Sequence, residues 1–288
     1  MKKKTILALL GVLMLSACAP SNPTSGGTSN IESSSTPTTS EKPTSEVPQM
    51  KDLTLEEAKA QAKSMIDNIK KPDYVEPNSY QLKASKSKTN GTNKSILNDV
   101  FTVNHKKEVM SLYEYDIPLS DTAKPYNGVH IFKKSGNDYY VTNHTSSSKE
   151  YIVVKDTTFD ATIKAARFGD FVGYGNIKEV TISLLDSIVN ADFSDIGLNT
   201  MSLNIKGDGA GRLEFFYHLS NVDEENNKHT MKQDYIFEDG KIVGTNVSSS
   251  VTNEKSETLT RQAIRYLFEY KEWNIETPKI DDSWTEKI

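Results

Sequence analysis

The hydrophobic pattern changes period at Ser79, and that change limits what the chain can fold into. From Ser79 onward, apolar residues recur at every second position, which places them on one face of an extended strand. Tyr80, Leu82 and Ala84 alternate with polar residues, and Asn90-Gly91 is a hairpin signal. Leu97, Asp99, Phe101 and Val103 continue the spacing, although Asp99 breaks the apolar face with a carboxylate. Val109, Ser111, Tyr113 and Tyr115 follow. Segments 128–134, 138–145 and 149–156 read as three more strands, with Ser135-Gly136-Asn137-Asp138 turning between the first two. Strands joined by short turns pair with their neighbours, so this is an antiparallel meander.

A second meander runs to about residue 270, with turns at Gly207 to Gly211, Asp223 to Asn227, Asp239-Gly240 and Asn253-Glu254. Residues 256–270 read as strand because Ile264, Tyr266, Phe268 and Tyr270 alternate.

Helical spacing frames the two meanders. Thr54-Leu55-Glu56-Glu57 is a capping box. Leu55, Ala58, Ala62, Met65, Ile66 and Ile69 then form one stripe, and Pro72 supplies a stop, so a helix is expected over 54–70. Asn176 opens a second helix to about 191, with Ile177, Val180, Leu184, Leu185 and Ile188 on its apolar face. Asp160 to Phe168 fits a short third helix. The expected class is α+β: about 11 strands in a long curved antiparallel meander, a half-barrel with two or three helices on its concave side.

The first 50 residues stand apart. They hold none of the 25 aromatic residues, so a core can begin only near residue 51, and residues 51–288 read as a single α+β domain. Hydrophobic residues make up 36% of the chain, below the usual globular share, and this segment accounts for the deficit. Lys2-Lys3-Lys4 is a basic n-region, and Ile6 to Leu15 is an apolar run too short to span a bilayer as a helix. Residues 1–17 therefore read as a signal peptide. Ser, Thr and Pro fill 19 of the positions from 19 to 48, so residues 18–50 read as a disordered tether behind Cys18.

Leu15-Ser16-Ala17-Cys18 resembles the lipobox of bacterial lipoproteins at every position. The resemblance implies cleavage before Cys18 and acylation of its thiol. It implies a protein held by lipid on the outer face of a cell membrane, with the domain displayed on its tether. Several buried acyl chains make such an anchor stable, at about 0.8 kcal/mol per CH₂.

Charge and cysteine count exclude other classes. The formal net charge is −5, which disfavours nucleic acid as a partner. One cysteine leaves no internal disulfide and no cysteine-rich metal site. No HExxH, GxSxG or cysteine nucleophile is present, so no catalytic residue, cofactor or metal is expected. The oligomeric state has no sequence signature.

Several motifs read better as structure than as sites. Gly207-Asp208-Gly209-Ala210-Gly211 precedes a strand, whereas a dinucleotide loop must precede a helix. Ser85 to Lys88 and Ser146 to Lys149 match Ser-x-x-Lys, but that motif needs a helix to bring the pair together. His218 and His229 flank one turn and could share a metal, yet no third ligand accompanies them. Asp223, Glu225 and Asn227 begin like a calcium loop, which fails at Lys228 and Asp234. Lys83, Lys86, Lys88 and Lys94 form a basic group that suits protection of an edge strand. Phe168, Phe171 and Tyr174, set among glycines, are the candidate gate to a cavity.

The order of elements in residues 51–288 resembles the LolA/LppX-like fold of bacterial envelope lipoproteins and carriers. The resemblance implies a curved sheet closed by helices, with a lipid or other apolar ligand in the space between. A surface interaction or structural lipoprotein without a small-molecule ligand is the alternative.

Overall fold

The computed structural model describes residues 49–120, 122–165, 176–194, 200–209 and 211–287. The first element is a two-residue strand, β1 (Lys51–Asp52). Helix α1 (Leu55–Ile69) follows. Its capping box forms as expected: the Thr54 backbone N–H donates to Glu57 Oε2 at 2.8 Å, and the Glu57 N–H donates to Thr54 Oγ1 at 3.2 Å. Its stripe of Ala58, Ala62, Met65, Ile66 and Ile69 is buried.

Six strands come next: β2 (Ser79–Asn90), β3 (Asn93–Asn104), β4 (Val109–Tyr115), β5 (Asn127–Ser135), β6 (Asp138–Thr145) and β7 (Lys149–Val154). The turn between β2 and β3 is the expected one, with Gly91 at φ 58°. Helix α2 (Phe159–Ala165) and helix α3 (Ile177–Val189) lead to the second meander. That meander comprises β8 (Thr200–Gly207), β9 (Leu213–Val222), β10 (Lys228–Glu238), β11 (Lys241–Thr252) and β12 (Thr258–Tyr270). Asp239 and Gly240 both adopt positive φ, which fits the tight β10–β11 turn. A last two-residue strand, β13 (Thr285–Glu286), ends the described chain.

The strands make one open sheet in the order β1-β8-β9-β10-β11-β12-β2-β3-β4-β5-β6-β7-β13. The expected 11 strands become 13 because β1 and β13 are brief additions at the two edges, too short to leave a periodic signal. All pairings are antiparallel except β13 with β7. The two meanders join through β12 and β2, paired from Thr260↔Asn90 to Tyr270↔Tyr80. Hence β2 is a central strand, which corrects the edge-protection reading of its lysines. Lys86 and Lys88 lie on one face of the sheet, and Lys83, with Lys94 opposite Thr89, lies on the other.

Register sorts the side chains into two faces. On the face that carries the helices, one row runs Tyr80–Val103–Met110–Ile131–Val141 across β2 to β6. The next runs Leu82–Phe101–Leu112–Val129. These residues join Leu213, Phe215, Tyr235, Phe237 and Ile242 of the second meander, and the buried faces of all three helices, in one core. Phe159 of α2 packs edge to face on His105 and lies beside Tyr139, with ring centroids 5.8 and 6.0 Å away. Tyr80, Phe101, Phe215 and Phe237 are at most 1% exposed, so the sheet beneath the helices is filled by side chains.

The opposite face holds a row that should be wet and is not. Gln81, Thr102, Ser111, His130 and Thr142 stand side by side across β2 to β6, and all are buried. Residues 271–287 cover them. This extended segment leaves β12, crosses the first meander and ends as β13 on β7. Its half-buried residues are Trp273, Ile275, Pro278, Ile280 and Trp284, which include both tryptophans of the chain.

Candidate functional site

The helix-bearing face changes character one row beyond Leu82 and Phe101. Ala84, Asp99, Glu114 and Asn127 stand side by side on β2, β3, β4 and β5. The same row continues through Tyr266 on β12 and Thr245 on β11. Strand alternation puts Asp99 on this face, because Leu97, Phe101 and Val103 share its parity. The small Ala84 lies between Tyr266 and Asp99 and is itself buried.

Asp99 is the unusual member. Its side chain is only 5% exposed, and Lys86 Nζ sits 3.3 Å from Oδ2. Its Oδ1 is buried and without a hydrogen-bond partner. Burial is the largest influence on its carboxyl; Lys86 opposes it, Glu114 adds to it, and the net effect is to hold the pKa above the usual carboxylate range. Glu114 accepts a hydrogen bond from Asn127 Nδ2 at 2.6 Å. That leaves Asn127 Oδ1 buried and unpartnered, as is Thr245 Oγ1 further along the row. Six buried polar side-chain atoms lack partners among the described residues, and three of them lie on this row. Each such atom is costly, by about 1–3 kcal/mol, so three along one line require a physical reason.

Two tyrosines respond to the carboxylates. The Tyr126 hydroxyl is pushed up to about 12, first by burial and then by Glu114, Asp99 and Asp116. Tyr266 is also pushed up to about 12, first by burial and then by Asp99. Tyr126 remains 43% exposed and forms the rim of the row. Half-buried Leu97 and Ile264 lie beyond it on the same face, so apolar surface continues on both sides.

A second cluster lies on the opposite face under the C-terminal segment. Tyr113 Oη and His130 Nε2 are 2.9 Å apart, and the His130 and His144 rings stack at 5.4 Å. Gly128, opposite His144, makes room for that ring: a Cβ there would lie 2.4 Å from His144 Cε1. Trp284 meets His144 edge to face at 6.1 Å. Burial, with a contribution from His144, pushes His130 down to about 4. Nδ1 of both histidines is buried without a partner.

The residues singled out from sequence fall as follows. Leu15, Ser16, Ala17 and Cys18, and Phe168, Phe171 and Tyr174, lie outside the described residues. His218 and His229 point to opposite faces, since His218 pairs with Lys232 and His229 with Asn221; they share no site. His229 Nε2 instead meets Asp223 Oδ2 at 2.7 Å, and Asp223 Oδ1 accepts the N–H groups of Glu225 and Asn227. That arrangement is a closed Asx-type turn. Gly207 to Gly211 joins β8 to β9, with Asp208 Oδ1 accepting from the N–H groups of Gly211 and Arg212. Ser85 and Lys88 lie on opposite faces of β2. Of the polar row, the sequence flagged Asp99 as a break in an apolar face. Glu114, Asn127, Tyr126 and Tyr266 escaped it because register, not spacing, brings them together.

No family model matches the chain, and no curated protein matches it. Among solved structures it is similar to an uncharacterized conserved protein from Thermus thermophilus, at 10% identity over 78% of this chain and 99% of that one, with a TM-score of 0.27. It is also similar to a DUF1329 family protein from Desulfovibrio piger, at 10% identity over 75% of this chain and 92% of that one, with a TM-score of 0.22. At such TM-scores neither likeness bears on what this chain does.

Proposed function

We propose that the protein is a bacterial envelope lipoprotein, anchored through an acylated Cys18, whose domain binds an amphipathic ligand on the helix-bearing face of its sheet. The N-terminal residues support the anchor: a basic start, a ten-residue apolar run and a complete lipobox, followed by a Ser/Thr/Pro tether. Like the LolA/LppX-like lipoproteins, it places helices against one face of a long antiparallel meander.

The observation that carries the binding reading is the row of unpartnered buried acceptors at the margin of an apolar surface. A ligand with an apolar body and a polar end satisfies both. The packed core beneath the helices moves the expected ligand away from a deep cavity and out along the same face, towards Leu97, Ile264 and Tyr126. The alternative, a structural or interaction lipoprotein, leaves those acceptors without a purpose.

Two experiments test the reading. Cys18→Ser should move the chain from the membrane fraction to the soluble fraction, and a chain that stays in the membrane would remove the anchor from the proposal. Native mass spectrometry of the secreted Cys18→Ser chain should show a stoichiometric adduct that organic solvent extracts. A bare mass after incubation with total bacterial lipid extract would favour the interaction lipoprotein.

A further inference from the structure

The polar row has a chemistry more specific than polarity. We infer that Asp99, Glu114 and Asn127 form a head-group subsite for a primary ammonium, carried by the ligand that lies on this face. The inference rests on the ligand-binding reading above and names the class of ligand.

Lys86, Asp99 and Glu114 together carry one positive and two negative charges, so the row is net negative. Lys86 faces Asp99 Oδ2, and one N–H of the Asn127 amide is spent on Glu114. Asp99 Oδ1 and Asn127 Oδ1 remain as buried acceptors without donors. Glu114 stands directly between them, paired with Asp99 on one side and Asn127 on the other. Side chains on adjacent strands stand about 5 Å apart, so a small cation seated at Glu114 lies between Asp99 and Asn127. An ammonium has three N–H donors and no acceptor. A carboxylate or phosphate head would place its oxygens against unpaired acceptors and two carboxylates, and is excluded by repulsion. A hydroxyl offers one donor and leaves the negative charge uncompensated.

Burial explains why such a subsite would discriminate. Asp99 is 5% exposed, so its attraction for a cation is little screened by water. On the outer side the next row, Ile264–Lys86–Leu97, offers two half-buried apolar side chains to an alkyl body, while the inner row Leu82–Phe101–Leu112 is closed by the core.

The test uses three probes with one tail: decylammonium, decanol and decanoate, titrated by calorimetry into the full chain carrying Cys18→Ser in detergent-free buffer. Decylammonium should bind at least tenfold more tightly than decanol, and decanoate most weakly. Glu114→Gln should remove most of that preference, read as the ratio of decylammonium to decanol affinity. Glu114 is only half-buried, so this variant keeps the fold, which its unfolding midpoint verifies; Asp99→Asn serves as the second variant. If all three probes bind equally, or decanoate binds best, the ammonium subsite is wrong while the binding face stands. If the preference for decylammonium persists in both variants, its source is elsewhere and the inference is overturned. If no probe binds, the binding face itself fails and the inference falls with it.

Discussion

The backbone N–H of Trp273 donates to Ser79 Oγ at 3.0 Å, across 194 positions of sequence. Ser79 Oγ in turn donates to the Val103 carbonyl at 3.0 Å, and Asn104 Nδ2 donates to the Trp273 carbonyl at 3.0 Å. Both main-chain groups of Trp273 are thereby fixed where the C-terminal segment leaves β12. At the other end Lys287 N–H donates to the Tyr151 carbonyl at 2.8 Å, and β13 pairs with β7. The segment is a strap held at both ends, and the buried polar row on that face follows from its position.

Ser79→Ala should therefore loosen the strap. The substitution removes the acceptor of the Trp273 N–H and one donor to the Val103 carbonyl, at a cost of about 1–3 kcal/mol. Urea unfolding followed by tryptophan emission reads this directly, because both tryptophans lie in the strap. A red-shifted native spectrum with a lower midpoint is expected, whereas an unchanged spectrum and midpoint would show that Ser79 does not hold the segment.

Gly128→Ala tests the histidine pair. The added methyl would lie 2.4 Å from His144 Cε1 and 3.1 Å from Tyr113 Cε1, so the His144 ring must leave its stack on His130. Overpacking of this kind costs about 1–3 kcal/mol. The thermal midpoint should fall, and His144→Ala in the same background should restore part of it by clearing the space. A drop that His144→Ala does not relieve would place the clash elsewhere.

Thr54→Ala removes half of the capping box of α1. Caps of this kind contribute about 1 kcal/mol. The loss should appear in global unfolding, because Ala58, Ala62, Met65, Ile66 and Ile69 tie α1 to the common core. Thr54→Ser should retain most of the stability in the same assay.

Much of this fold is legible in the sequence. The capping box, the Asn90-Gly91 turn, Asn176 as a helix start and the alternation of Ile264, Tyr266, Phe268 and Tyr270 each act over a few residues, and each forms as expected. The strap is not legible. Trp273, Ile275, Pro278, Ile280 and Trp284 follow neither period 2 nor period 3.6 throughout, since they bind across strands and not along one. The candidate site is legible at one position only. Asp99 stands out against its own strand, but its neighbours Glu114 and Asn127 lie one and two strands away, and pairing alone reveals them. Likewise His130 and His144 read as ordinary strand residues until the strap and Gly128 enclose them.

Enclosure gives the histidine pair a measurable effect on stability. His130 is 2% exposed, and burial, followed by His144, pushes its pKa down to about 4 from an ordinary 6.5. His144 is lowered in the same sense, first by burial and then by Lys149. The folded state thus keeps His130 neutral while the unfolded chain takes up a proton from about pH 6.5 downward. Between these values the unfolded state binds more protons, so folding stability is complete above pH 6.5 and declines as the pH falls to about 4. Below that, both states hold the proton and this group adds no further slope. The whole effect of His130 is roughly 3 kcal/mol. Urea unfolding at pH 7.5, 6.5, 5.5 and 4.5 should show this decline, reported by Trp284 beside His144. His130→Gln retains a partner for Tyr113 and cannot titrate, so its profile should be flatter over the same range. Parallel profiles for the two proteins would mean that other groups set the acid response and that the strap does not enclose a neutral histidine.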